Sequence, residues 1–343
     1  MTDGLRTERT GRLGRITLDR SGALNALTHD IARGILDTLD AWATDDAVAT
    51  VAIDAAGGRA FCAGGDLPAL HAAMTAGDPE PARAFWRDEY RMNARIAAYP
   101  KPVVTLMQGL VMGGGVGLGC HARHRVVGET ARLALPECAV GLVPDAGGSW
   151  LLAQAPGRVG RYIGATGARM GPADAIWAGF ADRMVPEDRW PDLLAALEAG
   201  DPSPVGHLAE PAGNGPLQAH RAEIDTLFTG DRAVDWRRAL ETADGAFSAD
   251  ALAALDRGCP LAVAATAPLI DAAAAAGGLR EALAMEYRFV HRAAAGADFV
   301  EGIRAAVIDK DRTPRWSHAA LSDVTSAATL ATLAPLGPAE FTP

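Results

Sequence analysis

Along the first half of the chain, short apolar runs alternate with longer amphipathic ones. The run "GRLGRITLDR" alternates around Leu13, Ile16 and Leu18 and predicts a strand. After the turn "SGALNALT", the segment "DIARGILDTLDAWATD" repeats its apolar positions every three or four residues and predicts a helix. "VATVAIDAAGG" and "PVVTLMQG" are continuous apolar runs, "HRVVGE" and "RLALPE" shorter ones, and residues 80–98, "EPARAFWRDEYRMNARIAA", form a second long amphipathic run. Strands alternating with helices predict a mostly parallel sheet covered on its faces, hence an α/β fold. After about residue 160 the strand pattern gives way to helical patterning. The segment 198–218, "EAGDPSPVGHLAEPAGNGPLQ", is rich in proline and glycine and reads as a linker or inserted loop. The expected organisation is a core over residues 1–197, that linker, and a helical C-terminal region over 219–343 covering the site.

Three segments interrupt this pattern. Glycines cluster in "GGRAFCAGGDL", residues 57–67, and in "GLVMGGGVGLG", residues 109–119, each just after a predicted strand. Glycine lets a ligand approach the backbone closely, and N–H groups at a helix start can receive negative charge developing on an oxygen. The third segment, "PECAVGLVPDAGG", residues 136–148, sets Glu137 and Asp145 each after a proline and among apolar residues. A buried charge without a partner costs several kcal/mol, so two carboxylates there read either as a site or as turn acids at the surface. Gly117, Gly119 and Ala122 also fit a G-x-G-x-x-A dinucleotide pattern, with Glu137 near the distance of a ribose-binding acid. Tight helix packing is a further reading of the glycines.

Composition narrows the choice. At 343 residues and 49% hydrophobic content the chain can bury one large core or two smaller ones. A formal charge of -10, with Lys101 and Lys310 the only lysines, gives no general basic field for nucleic acid or an anionic membrane. Any anionic ligand must be held by local groups. Cys62, Cys120, Cys138 and Cys259 are widely spaced with no C-x-x-C pair, which suggests reduced thiols. "MTDGLRTERTGRLGR" lacks the apolar core of a secretory signal, and "LAVAATAPLIDAAAAAGG" carries Pro268 and Asp271, too weakly apolar for a membrane span. The expectation is a cytoplasmic protein. His121 and His124 stand three apart with no third ligand in reach, so no metal is expected.

In order and spacing, "ITLDRSGALNALT", "AFCAGGDL", "KPVVTLMQGLVMGGGVGLG" and "LALPECAVGLVPDAGGSW" together resemble the crotonase (enoyl-CoA hydratase/isomerase) superfamily. The resemblance runs over nearly the whole chain and is weak in residues 198–250. "FWRDEYRMN", the Pro144–Asp145 pair, and "MEYRFVHRAAAGADFVEGIRAAVIDKDRTPRW" are similar to its 3-hydroxyisobutyryl-CoA hydrolase branch. The resemblance implies a crotonase-like ββα superhelix, a spiral core, with a helical C-terminal region. It implies that the N–H groups of Gly65 and Gly114 form an oxyanion hole for a CoA thioester, that Glu137 and Asp145 are catalytic, and that Glu89 contacts the acyl group. Glu89 otherwise reads as a solvated helix acid. Leu24, Ala26 and Ala63 match CoA-binding edges, and Arg59 is the candidate cation for the CoA phosphates.

One position departs from the hydratase pattern, which carries a glutamate where this chain has Gly117. Hydration needs two acids around the attacking water, so ordinary hydratase activity is disfavoured, while isomerase or decarboxylase activity stays open. The resemblance thus implies hydrolysis of a short-chain 3-hydroxyacyl-CoA, 3-hydroxyisobutyryl-CoA of valine breakdown first and 3-hydroxypropionyl-CoA second. No metal or redox cofactor is implied, coenzyme A being part of the substrate, and homo-oligomers are common among such relatives. A CoA-thioester binding protein without turnover and an NAD-dependent dehydrogenase are the alternatives of other classes.

Overall fold

Leu13, Ile16 and Leu18 lie in β2 (Leu13–Leu18), which turns back on β1 (Leu5–Thr10) through Gly11 at φ 57°. The computed structural model describes residues 2–343. The remaining strands are β3 (Thr50–Ala55), β4 (Ala60–Cys62), β5 (Val103–Met107), β6 (Leu110–Met112), β7 (His124–Val127), β8 (Arg132–Ala134) and β9 (Arg183–Met184). They form a six-stranded sheet in the order β1-β2-β3-β5-β7-β9 and a three-stranded sheet β4-β6-β8. Every pairing but β1–β2 is parallel, as the alternation of strands with helices predicts.

The chain divides into two compact units, each assembled from separate stretches of sequence. The first holds residues 2–65, 88–134 and 169–218, and therefore both sheets. Leu13, Ala52, Val104, Leu106 and Val126 pack with Val185, Leu193, Leu197 and Val205 into one of its apolar cores. Segment 198–218 thus takes part in that core through Val205. Helix α1 (His29–Ala43) buries Ile31, Ala32, Ile35 and Leu39, the spacing of one helical face, and Thr28 caps it by accepting the Ile31 N–H at 3.2 Å.

The second unit holds residues 66–87, 135–168 and 219–343, and its elements are helical. Helix α2 (Leu67–Thr75) begins it, and α3 (Glu80–Ala97) passes from it into the first unit at Asp88. α4 (Gly114–Cys120) belongs to the first unit, and α5 (Gly148–Gln154) and α6 (Val159–Thr166) to the second. The alanine-rich helix Pro260–Ala275 is largely buried and packs on both α5 and α6; a β-carbon on Gly164 would lie 3.1 Å from Thr266 and 3.3 Å from Ile270. Without a side chain at Gly164, α6 can approach that helix closely. Among the described residues no single helix is long and apolar enough to cross a membrane.

One turn in the first unit holds two successive left-handed residues without a glycine, Leu24 at φ 52° and Asn25 at φ 55°. The buried Asn25 side chain accounts for it. Its amide donates to the carbonyls of Ala56 (3.0 Å) and Ala60 (2.8 Å), and its oxygen accepts the Arg20 N–H at 2.9 Å. Asn25→Ala strands these buried partners and should cost roughly 2–4 kcal/mol, read as a lowered denaturation midpoint in urea at unchanged slope.

Candidate active site

The first unit brings the two glycine clusters together. Leu27 bridges Gly65 in parallel fashion, its N–H donating to the Gly64 carbonyl at 2.8 Å, and the Ala63 N–H donates to Leu24 at 3.1 Å. In such a bridge the bracketed residue, Gly65, directs its own N–H away from Leu27. A β-carbon on Gly64 would lie 3.6 Å from the Gly114 nitrogen, so the end of β4 lies beside the start of α4. The Gly114 N–H stands in the first turn of α4, where no helical carbonyl is available to it. Glu89 completes the cluster. It is 2% exposed, and its Oε1 occupies the place a β-carbon on Gly114 would take. Glu89 is therefore not the solvated helix acid that α3 alone suggests. Beside it Asp88 pairs with His29 at 2.7 Å.

Leu24, Ala26 and Ala63 are half-buried along the joined loops. Arg59 is exposed at the opposite end of β4 from Ala63, its backbone held against Gly109.

In the second unit, Glu137 opens a short 3-10 turn, Glu137–Val140, and Asp145 follows on the same loop before α5. They are 6% and 5% exposed, which overturns the surface-turn alternative. The loop is fixed from several sides. The Cys259 N–H donates to the Cys138 carbonyl at 2.7 Å, the Cys138 thiol meets the Thr266 hydroxyl at 3.3 Å and the Gly164 carbonyl at 3.4 Å, and Leu142 donates back to the Glu137 carbonyl at 3.0 Å. Gly141 at φ 87° ends the turn with its α-carbon against the Asp298 backbone. Burial pushes the Cys138 thiol up to about 12, with the Glu137 charge adding to the shift. All four cysteines are free, buried and shifted up in the same way, so none is a ready nucleophile.

Sequence reasoning missed Glu286 as a site residue. It lies on the helix Leu279–Ala293 at 0% exposure. Its carboxyl accepts the N–H of Gly147 at 2.8 Å, the N–H of Ser149 at 3.0 Å and the Ser149 hydroxyl. Burial pushes its pKa up to about 8 against the pull of these donors, and the Asp145 charge adds to the rise. The signal was present in the spacing: Glu286 falls in step with Ala282, Leu283, Phe289 and Val290 on the buried stripe of an otherwise amphipathic helix.

Two further readings are settled by position. Gly117 and Gly119 lie inside α4 and not in the turn before a helix, so the dinucleotide pattern has no phosphate-binding turn to form. Packing does explain part of the cluster, since β-carbons on Gly115 and Gly119 would strike the Cys62 carbonyl and the Met107 sulfur. Among the described residues no group of three or more His, Cys, Asp or Glu side chains is placed to hold a metal ion.

The sequence profile of the enoyl-CoA hydratase/isomerase family matches residues 13–333. The chain is 36% identical over 329 residues to the mitochondrial 3-hydroxyisobutyryl-CoA hydrolase of Xenopus tropicalis, covering 92% of this chain and 85% of the relative. It is 34% identical over 331 residues to the mitochondrial enzyme of that name from Homo sapiens, covering 93% and 85%. Among solved structures, an enoyl-CoA hydratase from Rhodobacter sphaeroides superposes with a TM-score of 0.94 at 54% identity, over 99% of this chain and 100% of that one. A carnitinyl-CoA dehydratase from Mycobacterium thermoresistibile also gives 0.94, at 39% identity over 99% and 98%. The curated relatives overturn the cytoplasmic placement expected from the sequence, because they are named as mitochondrial proteins.

The Glu286 shift has a consequence for stability. A carboxyl near 4.5 when unfolded and about 8 when folded keeps its proton in the native state across that window. Its contribution is full below pH 4.5 and is lost as pH rises towards 8, by a few kcal/mol at most. Unfolding free energies of the wild type and Glu286→Gln, measured by urea titration from pH 4.5 to 8.5, should converge as pH rises, because glutamine has no proton to lose.

Proposed function

Because the chain belongs to the enoyl-CoA hydratase/isomerase family, we propose that it hydrolyses a short-chain 3-hydroxyacyl-CoA thioester, 3-hydroxyisobutyryl-CoA, to the hydroxy acid and coenzyme A. The fold is that of the crotonase superfamily, α/β with a helical C-terminal region. The observation that carries the reading is the pair of buried acids Glu137 and Asp145 on one loop, in a chain whose α4 has no carboxylate at all.

Thioester hydrolysis needs a polarised carbonyl, an oxygen nucleophile and a leaving thiolate. The N–H groups of Gly65 and Gly114 are assigned to the carbonyl oxygen. Loss of a single such donor typically costs about 3 kcal/mol of transition-state stabilisation. Glu137 is assigned either to attack the carbonyl, giving a mixed anhydride that water then opens, or to deprotonate the attacking water. Asp145 is assigned to hold the substrate hydroxyl and that water, and Glu89, buried against Gly114, to contact the acyl group. Leu24, Ala26 and Ala63 are assigned to the CoA chain and Arg59 to its phosphates. Such a reaction uses no metal or redox group.

The 54% identical enoyl-CoA hydratase supports a second reading, hydration of an enoyl-CoA. One experiment separates them. With 3-hydroxyisobutyryl-CoA and crotonyl-CoA offered in parallel, the wild type should release thiol from the first and leave the enoyl absorbance of the second unchanged. Glu137→Gln and Asp145→Asn should each lower kcat for thiol release by about a hundredfold or more. Loss of enoyl absorbance without thiol release would establish the hydratase reading instead.

A further inference from the structure

We infer that Glu286 is a positioning residue for Asp145: its carboxyl, by binding the N–H groups of Gly147 and Ser149 and the Ser149 hydroxyl, fixes the turn that carries the Asp145 carboxylate. The inference rests on the hydrolase reading for what Asp145 does, and on the geometry alone for how Asp145 is held.

The turn from Asp145 to Gly148 is tight, closed by the Gly148 N–H on the Asp145 carbonyl at 2.7 Å. Within it Ala146 at φ 55° and Gly147 at φ 83° are both left-handed, and for an alanine that conformation is unfavourable. Something outside the turn has to hold it. A helix start is ordinarily closed by a serine, threonine or aspartate at its N-cap, whose side chain takes a free N–H. Here the cap is Gly147, which suits the left-handed angle and has no side chain to offer. Glu286 supplies the missing acceptor from a helix 139 residues further along the chain, and binds the N–H groups on both sides of Gly148.

The three hydrogen bonds of the Glu286 carboxyl all go to residues two to four positions after Asp145. A carboxyl at 0% exposure is a costly way to stabilise a helix–helix contact that an apolar side chain would fill as well. Its cost is explained when the quantity held is the geometry of the turn. The Asp145 charge acts on Glu286 in turn, which places the two carboxyls near enough to influence each other.

The test is a double-mutant cycle on the full-length protein. Glu286→Gln keeps an oxygen for the Ser149 donors and sets an amide against the Gly147 N–H. In the wild-type background it should lower kcat for thiol release from 3-hydroxyisobutyryl-CoA by about thirtyfold, with KM changed less than about threefold. In an Asp145→Asn background the same substitution should cost less than about threefold, since a residue acting through Asp145 has little left to position. Equal losses in both backgrounds, or a folded Glu286→Gln enzyme with wild-type kcat, would overturn the inference. Should Glu286→Gln fail to fold, Ser149→Ala takes its place, with a loss of about fivefold expected in the wild-type background and none beside Asp145→Asn; additive losses overturn the inference. Absence of thiol release by the wild type would be a failure of the hydrolase reading alone. Hydrogen exchange in residues 145–150 then decides the positioning claim: faster exchange in Glu286→Gln supports it, and equal protection refutes it.

Discussion

Helix α4 starts where its neighbours leave no room for a β-carbon. One on Gly115 would meet the Cys62 carbonyl at the end of β4, and one on Gly114 would meet the Glu89 carboxylate. The arrangement of the first unit's candidate site depends on this close approach, because it sets the first-turn N–H groups of α4 beside the loop of Gly64 and Gly65. The helix is intrinsically poor. Four glycines among its seven residues, Gly114 to Cys120, cost roughly 3–4 kcal/mol against alanine in helix propensity. It forms because every residue in it is buried, so tertiary contact replaces the stability its sequence lacks.

The buried carboxyls divide by what neutralises them. Asp54 accepts from the Arg15 guanidinium at 2.6 Å and from the Thr17 hydroxyl at 2.7 Å across the β2–β3 pairing, an ion pair that ties two strands. Glu286 meets only neutral donors and faces a second carboxylate, and in that setting a proton is the least costly counter-charge. A protonated Glu286 beside Asp145 removes the repulsion between them. Placing two acids on facing elements of one unit is then compatible with a stable fold.

Much of the architecture was legible in the sequence because the strands β2, β3 and β5 are apolar runs with clear turns, and because α1 and α3 repeat at the helical period. What escaped had physical reasons. β1, "LRTERT", is an edge strand with every residue after Leu5 exposed, so it carries no alternation. β4 and β6 have three residues each, too few for any period to show. Glu137 and Asp145 stood out because they interrupt apolar loops. Glu89 was reached only through the resemblance and Glu286 not at all, since an acid on a charged helix resembles a solvated one, and only the register places Glu89 in step with Phe85 and Met92 on a buried face.

The relatives carry the names of two reactions, a thioester hydrolysis and an enoyl hydration, and one fold serves both. Hydration and thioester hydrolysis both load negative charge onto the thioester oxygen, in an enolate in one case and a tetrahedral intermediate in the other, so the same pair of backbone donors serves either. The acids make the difference. Hydration delivers water to the third carbon of the acyl chain and a proton to the second, which calls for two carboxyl groups around one water. Hydrolysis delivers oxygen to the carbonyl carbon itself, and one carboxylate acting there is enough once a second group orients the hydroxyl. With Gly117 inside a helix of glycine, valine, leucine and cysteine, α4 offers no acid to the first task, while the buried Glu137 and Asp145 are the two acids that the proposal assigns to the second.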